Sequence, residues 1–283
     1  MKIALIVNFD KNGAFETARK ITDYLRSLGA EVLFMRGILA DCYKDAQAYS
    51  SRAELIRNSD VVLTVGGDGT IIHTAKFAVV CERPILGVNL GRLGYVAELE
   101  ADEISMLKRL VDGDYTIAKR SVLSVSIISP GSKERSFIAI NDAVIARGSQ
   151  SRIIDLQVSV DGDDVKSYRA DGLLVSTPTG STAYALSAGG PVISPDLKCI
   201  EVVPVCPHSL SARCVILSHD SVIRIKAQSP DDEIYLTIDG QISEHVSETD
   251  VVEIKNAEYT LDMIVLKERN FYKLAGEKLN EVN

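Results

Sequence analysis

The sequence predicts an α/β protein with two domains: an N-terminal domain built on a mainly parallel sheet and a β-rich C-terminal domain. Two observations carry this prediction. In about the first hundred residues, short β-branched runs alternate with stretches whose apolar residues recur at helical spacing. After about Arg120 the helical stretches stop, and short apolar runs follow one another with turn residues between them, which is typical of antiparallel strands.

The N-terminal domain is predicted as alternating strands and helices. In chain order they are the strand KIALIVN, a helix from Gly13 to Gly29, the strand EVLFM, a helix from Ala46 to Arg57, the strand DVVLTV, a helix from Thr70 to Val80, the strand PILGVN and a helix near Asp102 to Val111. Ligands of such sheets bind at the carboxyl ends of the strands, so a site is expected in the loops that follow them.

The domain boundary is predicted at residue 118. Residues 1–118 then form the α/β domain and residues 119–266 the β-rich domain, whose runs include GLLVSTP, EIYLTIDGQI and YTLDMIVL. The tail, residues 267–283, contains NFYKLAGEKL, which has a helical pattern, and we expect it to return to the first domain.

The composition narrows the class of protein. The 283 residues carry a net charge of −8, which disfavours nucleic acid or an anionic membrane as a partner. No apolar run approaches the roughly 20 residues of a membrane-spanning helix. The five cysteines form no C-x-x-C pair, so neither a disulfide framework nor a zinc site is predicted, and the cytoplasm is the expected location.

The stretch VVLTVGGDGT predicts a phosphate-binding turn. An apolar strand leads into Gly66, Gly67 and Gly69, and Thr70 opens the next helix, so backbone N–H groups can approach an anion there. Asp68 adds a negative charge to the same turn. In phosphoryl transfer the attacking hydroxyl loses a proton, and a carboxylate beside the phosphates can accept it, orient the hydroxyl or help hold Mg²⁺. Alternatively, Asp68 only caps the helix.

A second glycine-rich stretch, GVNLGRLG from Gly87 to Gly94, follows the next strand. It matches neither the G-x-x-x-x-G-K-[ST] motif nor the G-x-G-x-x-G dinucleotide motif. It is either an ordinary loop or a wall of the nucleotide site. His73, one turn past Asp68, either faces that site or is simply solvated.

The β-rich domain contains two further candidate binding segments. In RADGLLVSTPTGSTAYALSAGGP, residues 169 to 191, small hydroxyl groups and the ring of Tyr184 suit a base and a ribose, unless Tyr184 belongs to the core. In INDAVIA, Asn141 and Asp142 stand side by side in an apolar strand, where polar groups need partners. The alternative there is an Asx bulge. Weaker candidates on their own are Arg152, Arg169 and Gln241.

The chain resembles the bacterial NAD kinases, a family that phosphorylates NAD⁺ at the adenosine ribose 2′-hydroxyl to make NADP⁺. The resemblance runs almost end to end and rests, in family order, on VGGDGT, GRLGYVAEL, the Asn141–Asp142 strand, DGLLVSTPTGSTAYALSAGGP and VPVCPHSLSAR. GGDGT alone also resembles turns of diacylglycerol kinases, sphingosine kinases and phosphofructokinases. Its combination with TPTGSTAY is specific to the NAD kinases.

The resemblance implies roles for the matching residues. Asp68 would be the catalytic acid/base, and the phosphate loop would consist of Gly66, Gly67, Gly69 and Thr70. The residues implied to bind NAD are Asp68, Gly69, His73, Asn141, Asp142, Arg152, Arg169, Asp171, Thr182, Ala183, Tyr184, Ser187 and Gln241. Asp142 departs from the family pattern, in which glutamate is usual, so its reach is shorter by one methylene.

The resemblance also implies ATP or another phosphoryl donor, Mg²⁺ as the metal, and NAD⁺ as the acceptor, with no nucleic acid or membrane partner. Family members are commonly homodimers or homotetramers whose β-rich domain builds the interface and completes the site. Two other classes stay open at this point, a lipid kinase that shares GGDGT and a non-catalytic dinucleotide-binding regulator. The acidic charge and TPTGSTAY disfavour the first, and the presence of Asp68 and its glycines disfavours the second.

Overall fold

The computed structural model of the chain describes residues 1–91, 94–149, 152–209, 211–230, 233–268 and 270–280. The chain divides into two compact units, Met1–Arg120 together with Leu261–Asn283, and Ser121–Thr260. The first unit holds a mainly parallel sheet and the second holds antiparallel sheets, which confirms the predicted fold class. Within the described residues, no helix combines the length and the apolar character needed to cross a bilayer.

The sheet of the first unit has eight strands. Numbered in chain order, they are β1 (Lys2–Val7), β2 (Glu31–Met35), β3 (Gln47–Tyr49), β4 (Val61–Gly66), β5 (Ile85–Asn89), β6 (Leu99–Glu100), β7 (Thr116–Arg120) and β20 (Leu261–Val265). Their order is β3-β2-β1-β4-β5-β20-β7, with β6 beside β5. The paired neighbours run parallel, apart from β20 with β7.

The helices of the first unit are α1 (Ala14–Ser27), α2 (Arg52–Arg57), α3 (Asp68–Val80), α4 (Leu107–Asp112) and α6 (Phe271–Asn280). The apolar side of α1, with Ala18, Ile21 and Leu25, is fully buried. The central strands β4 and β5 are buried along their whole length. Strands covered on both faces need such continuous apolar runs, which is why VVLTV and ILGV read as parallel strands.

The predicted helix from Ala46 to Arg57 is wrong in its first half. Gln47–Tyr49 form the edge strand β3, parallel to β2, and α2 begins only at Arg52. Ser51 caps α2, because its Oγ accepts the backbone N–H of Glu54 (3.4 Å). A strand of three residues carries too little periodicity to be recognised, and its pairing with β2 outweighs local helix propensity.

The strand β20 lies in the first unit and not in the β-rich domain, where the sequence analysis placed it. Met263 pairs in parallel with Ile85 of β5, and the whole strand runs antiparallel to β7. Which sheet a strand joins depends on contacts with distant parts of the chain, and the apolar run itself does not reveal them.

The second unit consists of two six-stranded antiparallel sheets. Its strands are β8 (Leu123–Ile128), β9 (Arg135–Ala139), β10 (Asp142–Arg147), β11 (Ile154–Val160), β12 (Asp163–Ala170), β13 (Gly172–Ser176), β14 (Cys199–Val205), β15 (Val215–Ser218), β16 (Ile223–Gln228), β17 (Ile234–Ile238), β18 (Ile242–His245) and β19 (Val251–Asn256). One sheet has the order β15-β14-β13-β10-β17-β18 and the other β12-β11-β16-β19-β8-β9.

Alternate residues of both sheets meet in one apolar core, for example Ile145 and Leu173 of the first sheet with Leu156 and Ile254 of the second. The short helix α5 (Tyr184–Ser187) covers the other face of the first sheet. There Ala185 packs against Val144, Leu174 and Val203. The first sheet is therefore covered on both faces, which places buried side chains beneath α5.

Candidate active site

The glycine turn of the first unit lies between β4 and α3. Gly66 ends the strand, Gly67 is extended, and Asp68 is already the first residue of α3, two residues earlier than predicted. A Cβ at Gly66 would overlap the Thr70 side chain, so the close turn requires glycine at this position. Asn8, at the end of β1, donates its Nδ2 to Thr70 Oγ1 (3.2 Å) and ties the neighbouring strand end to the turn.

The Asp68 carboxylate is fixed by the chain that follows β5. Its Oδ2 accepts the backbone N–H of Tyr95 (2.7 Å), and its Oδ1 accepts those of Val96 (3.3 Å) and Ala97 (3.2 Å). Gly94 lies so close that a Cβ there would overlap the carboxylate. The cap residue of α3 is Gly67, not Asp68, so the helix-cap alternative does not describe this carboxylate. It is oriented by a loop that belongs to another strand.

Two cavities of the first unit border this turn. A cavity of about 230 Å³ is lined by Lys11, Gly66, Gly67, Asp68, Asn89, Leu90, Gly91 and Gly94. A second, of about 420 Å³, has Asn8, Asp10, Arg52, Gly69, Thr70 and His73 among its lining residues. The turn therefore presents its carboxylate to one cavity and Gly69 and Thr70 to another. Arg92 and Leu93 of the predicted GVNLGRLG wall lie outside the described residues.

His73 is exposed on α3 and lines the larger cavity, with its ring at the edge of Phe77 (6.1 Å between centroids). Across the same cavity the guanidinium of Arg52 lies over the Phe77 ring (5.5 Å). Burial lowers the pKa of Arg52 from its ordinary value. The sequence analysis did not single out Arg52, and nothing in its local pattern marks it, because α2 brings it to the cavity only through the fold.

In the second unit, Asn141 and Asp142 form a corner held by Asp239. One Asp239 oxygen accepts the backbone N–H of Asn141 (2.7 Å) and of Asp142 (3.0 Å), and the other accepts that of Ile140 (3.0 Å). Asp239 adopts a positive φ of 48°. The Asn141 Oδ1 atom is buried and finds no hydrogen-bond partner within the described parts of the chain. The corner is thus rigid in its backbone and keeps an amide oxygen available.

The sequence analysis did not single out Asp239, although it named Gln241 two residues later. The signal was the IDG turn, because aspartate before glycine is typical of a tight turn whose side chain bonds nearby backbone. The Asp239 N–H also donates to the Asp142 carbonyl (2.9 Å), so the turn that carries Gln241 lies beside the Asn141–Asp142 corner.

The segment after β13 is attached to the same corner. Thr177 donates its Oγ1 to the Ile140 carbonyl (2.7 Å) and accepts the Gly180 N–H (3.0 Å). A 3-10 helix (Gly180–Thr182) and α5 then carry Thr182, Ala183, Tyr184 and Ser187. Tyr184 is 46% exposed, so the alternative that it belongs to the core is wrong.

The other predicted residues of the second unit lie elsewhere on it. Asp171 stands at the start of β13 and accepts the Arg147 Nε (2.7 Å), whereas Asp142 pairs with Ser176 at the end of that strand. The strand of five residues separates them by about 17 Å. Arg169 is exposed on β12, opposite Asp155, and Arg152 is exposed just before β11. Within one chain, Asp171 is therefore not next to Asn141 and Asp142.

Glu201 of β14 is the third residue that the sequence analysis did not single out. Its side chain has no exposed surface, and both carboxyl oxygens lack a hydrogen-bond partner in the described structure. Burial raises the pKa of Glu201 from 4.5 to about 7. The signal was a charged residue inside the apolar run CIEVVPV, which is unusual because a buried charge without a partner is costly.

Both units match models of known protein families. The family model of the ATP-NAD kinase N-terminal domain covers residues 3–115, and that of the ATP-NAD kinase C-terminal domain covers residues 140–266. The NAD kinase of Caldanaerobacter subterraneus subsp. tengcongensis is 35% identical over 281 residues, 99% of each chain. The NAD kinase of Syntrophotalea carbinolica is 37% identical over 279 residues, 98% of each chain.

Two solved structures share the fold. A yeast NADH kinase complexed with NADH has a TM-score of 0.90 at 24% identity, covering 100% of this chain and 88% of that one. An NAD kinase from Archaeoglobus fulgidus in complex with ATP has a TM-score of 0.78 at 25% identity, covering 100% of both chains. The matched domains and the identity with relatives over nearly the full length confirm the resemblance read from the motifs: this chain belongs to the NAD kinase family and is a phosphotransferase.

Proposed function

We propose that this enzyme transfers the terminal phosphoryl group of ATP to the adenosine ribose 2′-hydroxyl of NAD⁺, forming NADP⁺ and ADP. The bond between the 2′-oxygen and the terminal phosphorus forms while the bond from that phosphorus to ADP breaks, and the hydroxyl proton leaves. The names of its relatives, NAD kinase, and the ATP held by the Archaeoglobus fulgidus enzyme support this assignment. Other triphosphates or polyphosphate as donor stay open to experiment.

Asp68 is the residue that takes or orients the 2′-hydroxyl proton. The single observation that carries this role is the set of three backbone N–H groups, from residues 95–97, that hold its carboxylate at the mouth of the glycine turn. A general base contributes most when its own geometry is fixed before the substrate binds. Gly67 and Gly69 at the start of α3 offer N–H groups to the donor phosphates, as helix N-termini do for anions. Thr70, whose N–H donates to the Gly67 carbonyl (2.9 Å), contributes its side chain to the same loop.

The smaller cavity offers Mg²⁺ two side chains with oxygen atoms. Asp68 and Asn89 both line it, and Mg²⁺ prefers carboxylate and carbonyl oxygens. The described residues contain no group of three or more His, Cys, Asp or Glu placed to hold a metal by themselves. That is compatible with Mg²⁺, which is usually bound through one or two carboxylates plus substrate phosphates. When bound, Mg²⁺ would neutralise charge on the donor phosphates, and Asp68 and Asn89 would hold it.

The second unit supplies most of the proposed NAD-binding residues, beside Asp68, Gly69 and His73 of the first unit. Asn141 and Asp142 present their side chains from a backbone fixed by Asp239, and Thr182, Ala183, Tyr184 and Ser187 follow from the attached segment. Because Asp171 lies about 17 Å along β13 from this corner, a second copy of the chain would be needed to complete one site with it. This supports a homodimer or homotetramer. The remaining proposed contacts are His73, Arg152, Arg169 and Gln241. The cytoplasm stays the predicted compartment.

The test is direct. Purified protein is incubated with NAD⁺, ATP and Mg²⁺, and NADP⁺ is measured with an NADP-specific dehydrogenase. Diacylglycerol is offered in a parallel reaction, and ATP is replaced in turn by other triphosphates and by polyphosphate. We expect NADP⁺ and no lipid phosphate. Phosphorylation of the lipid without NADP⁺ would support the lipid kinase, and binding of NAD⁺ without any turnover would support the regulator.

A further inference from the structure

Glu201 belongs to a row of polar residues that crosses the first sheet of the second unit. In the strand register, Asp142 of β10 stands opposite Ser176 of β13, and Ser176 stands opposite Glu201 of β14. Residues directly opposite each other in antiparallel strands point to the same face. Val203, two residues beyond Glu201, packs under Ala185 of α5, so this face is the one that α5 covers. The proposed NAD-binding acid and the buried Glu201 thus share one face, two strands apart.

The segment that returns from α5 lies directly on Glu201. A Cβ at Gly190 would overlap Glu201 Oε1 and would come within 3.0 Å of the Ala185 carbonyl oxygen and of Val203 Cγ2. The Gly190 N–H donates to that same Ala185 carbonyl (2.9 Å), which closes the end of α5. The Glu201 carboxyl therefore lies directly against the closing turn of the helix that carries Tyr184 and Ser187, with no room for a side chain between them.

Among the described residues, no Lys, Arg or His pairs with Glu201, whose two carboxyl oxygens have no hydrogen-bond partner there. Among the elements packed around it, β13 contributes Ser176, β15 contributes Ile216, and the closing turn contributes Gly190 and the Ala185 carbonyl. The titratable groups on its side are Cys199, on its own strand, Cys214, which packs on the same face just before β15, and Asp142, two strands away. Burial, and then the nearby Glu201, raise the pKa of the Cys199 thiol. Burial without a partner raises the pKa of Glu201 to about 7, so the neutral form of Glu201 fits this environment.

We propose that Glu201 is a positioning residue for NAD⁺: its neutral carboxyl supports the Gly189–Gly190 turn and holds α5 in the binding arrangement, and its ionisation displaces that turn and weakens NAD⁺ binding. The proposal rests on the proposed function, because it treats α5 as part of the NAD⁺ site. A carboxylate without partners in an apolar environment either regains its proton or moves towards water. The Gly189–Gly190 turn has no side chains, so it is the part of the surroundings through which the Glu201 carboxylate can move towards water.

The experiment compares pH profiles of KM for NAD⁺ and of kcat between the wild-type enzyme and Glu201→Gln, which is neutral at every pH. Glu253→Gln, on β19 of the other sheet, is the matched control, since Glu253 pairs with Arg224 (2.9 Å). We expect the wild-type KM for NAD⁺ to rise about tenfold more than that of Glu201→Gln between pH 6.5 and 8.5. The control should follow the wild type, and kcat at saturating NAD⁺ should differ little between the variants.

Parallel KM profiles of wild type and Glu201→Gln would overturn the positioning role while leaving the proposed function intact, because NADP⁺ would still form. Absence of NADP⁺ from the wild-type enzyme at every pH would instead overturn both. If Glu201→Gln does not fold, infrared spectroscopy of the wild type decides. The proposal is supported if a protonated-carboxyl band disappears around pH 7, and at a lower pH when Gly190→Ala disturbs the turn. Absence of this band at pH 6 overturns the proposal.

Discussion

Two carboxyl groups of this chain are held in opposite ways. Asp68 of the first unit accepts three backbone N–H groups, whereas Glu201 of the second unit is fully buried and accepts no hydrogen bond from the part of the chain that the structure describes. Fixed donors define the direction in which a carboxylate presents its remaining lone pair. An environment without donors favours the neutral acid. The difference indicates that the surroundings decide whether a carboxyl group is presented as a fixed carboxylate or is kept as a neutral acid.

The largest expected effect tests the first half of this comparison. Asp68→Asn keeps the size of the side chain but removes its negative charge and its basicity. General-base help is worth roughly 10²–10⁴-fold, so kcat should fall by about that factor. The matched control is Asp60→Asn, since Asp60 accepts the backbone N–H of Lys2 (2.7 Å) near the start of β4. A similar loss of kcat in both variants would show that the effect is structural.

The next effect tests the second half and concerns stability. The pKa of Glu201 is raised from 4.5 to about 7 in the folded chain, so the folded state keeps a proton that the unfolded state loses. Stability should therefore fall as the pH rises from 4.5 to about 7, by about 3 kcal/mol, and stay lowered above that range.

Glu201→Gln lacks this titration, so the free energy of unfolding of the variant minus that of the wild type should increase over the same pH range. Urea denaturation of both proteins at several pH values measures this difference. A difference that does not change with pH would contradict the assignment of a neutral Glu201.

A smaller effect is expected when the Asp68 carboxylate is displaced by a neighbouring residue and Asp68 itself is unchanged. Gly94→Ala would place a Cβ on the Asp68 carboxylate, and displacement of a catalytic group by about 1 Å costs up to about 100-fold in rate. Gly276→Ala in α6 is the control, because a Cβ there meets no atom within 4 Å. The two variants are compared by kcat at saturating substrates. Equal kcat values would mean that the carboxylate tolerates the shift.

The smallest effect concerns the acid that shares a face with Glu201. Asp142→Ala should weaken NAD⁺ binding by about 1–3 kcal/mol through the loss of a hydrogen-bond acceptor. Isothermal titration calorimetry with NAD⁺ measures it, and circular dichroism checks the fold. If the folded variant binds NAD⁺ with unchanged affinity, Asp142 only stabilises the corner and does not contact NAD⁺.

The glycine turn could be predicted from the sequence because strand, turn and helix are all local in VVLTVGGDGT. The partners of Asp68 could not, since residues 95–97 reach it only after β5 has paired with β4. The same limit applies to β3 and β20, whose identity depends on the strands beside them. It applies also to Glu201, whose neighbours come from β13, β15 and the turn after α5. Motifs thus located the candidate site, and the fold supplied the contacts that orient it.

The central claim is that the Asp68 carboxylate acts in the chemical step, and a single-turnover rapid-quench measurement tests it most directly. Wild type and Asp68→Asn, each in excess over NAD⁺ and concentrated enough to bind nearly all of it, are mixed with saturating Mg-ATP. The conversion of the bound NAD⁺ to NADP⁺ is followed, while the affinity for NAD⁺ is measured separately. We predict that the rate of NADP⁺ formation falls by roughly 10²-fold or more with little change in NAD⁺ affinity. A single-turnover rate in Asp68→Asn equal to that of the wild type would contradict the claim.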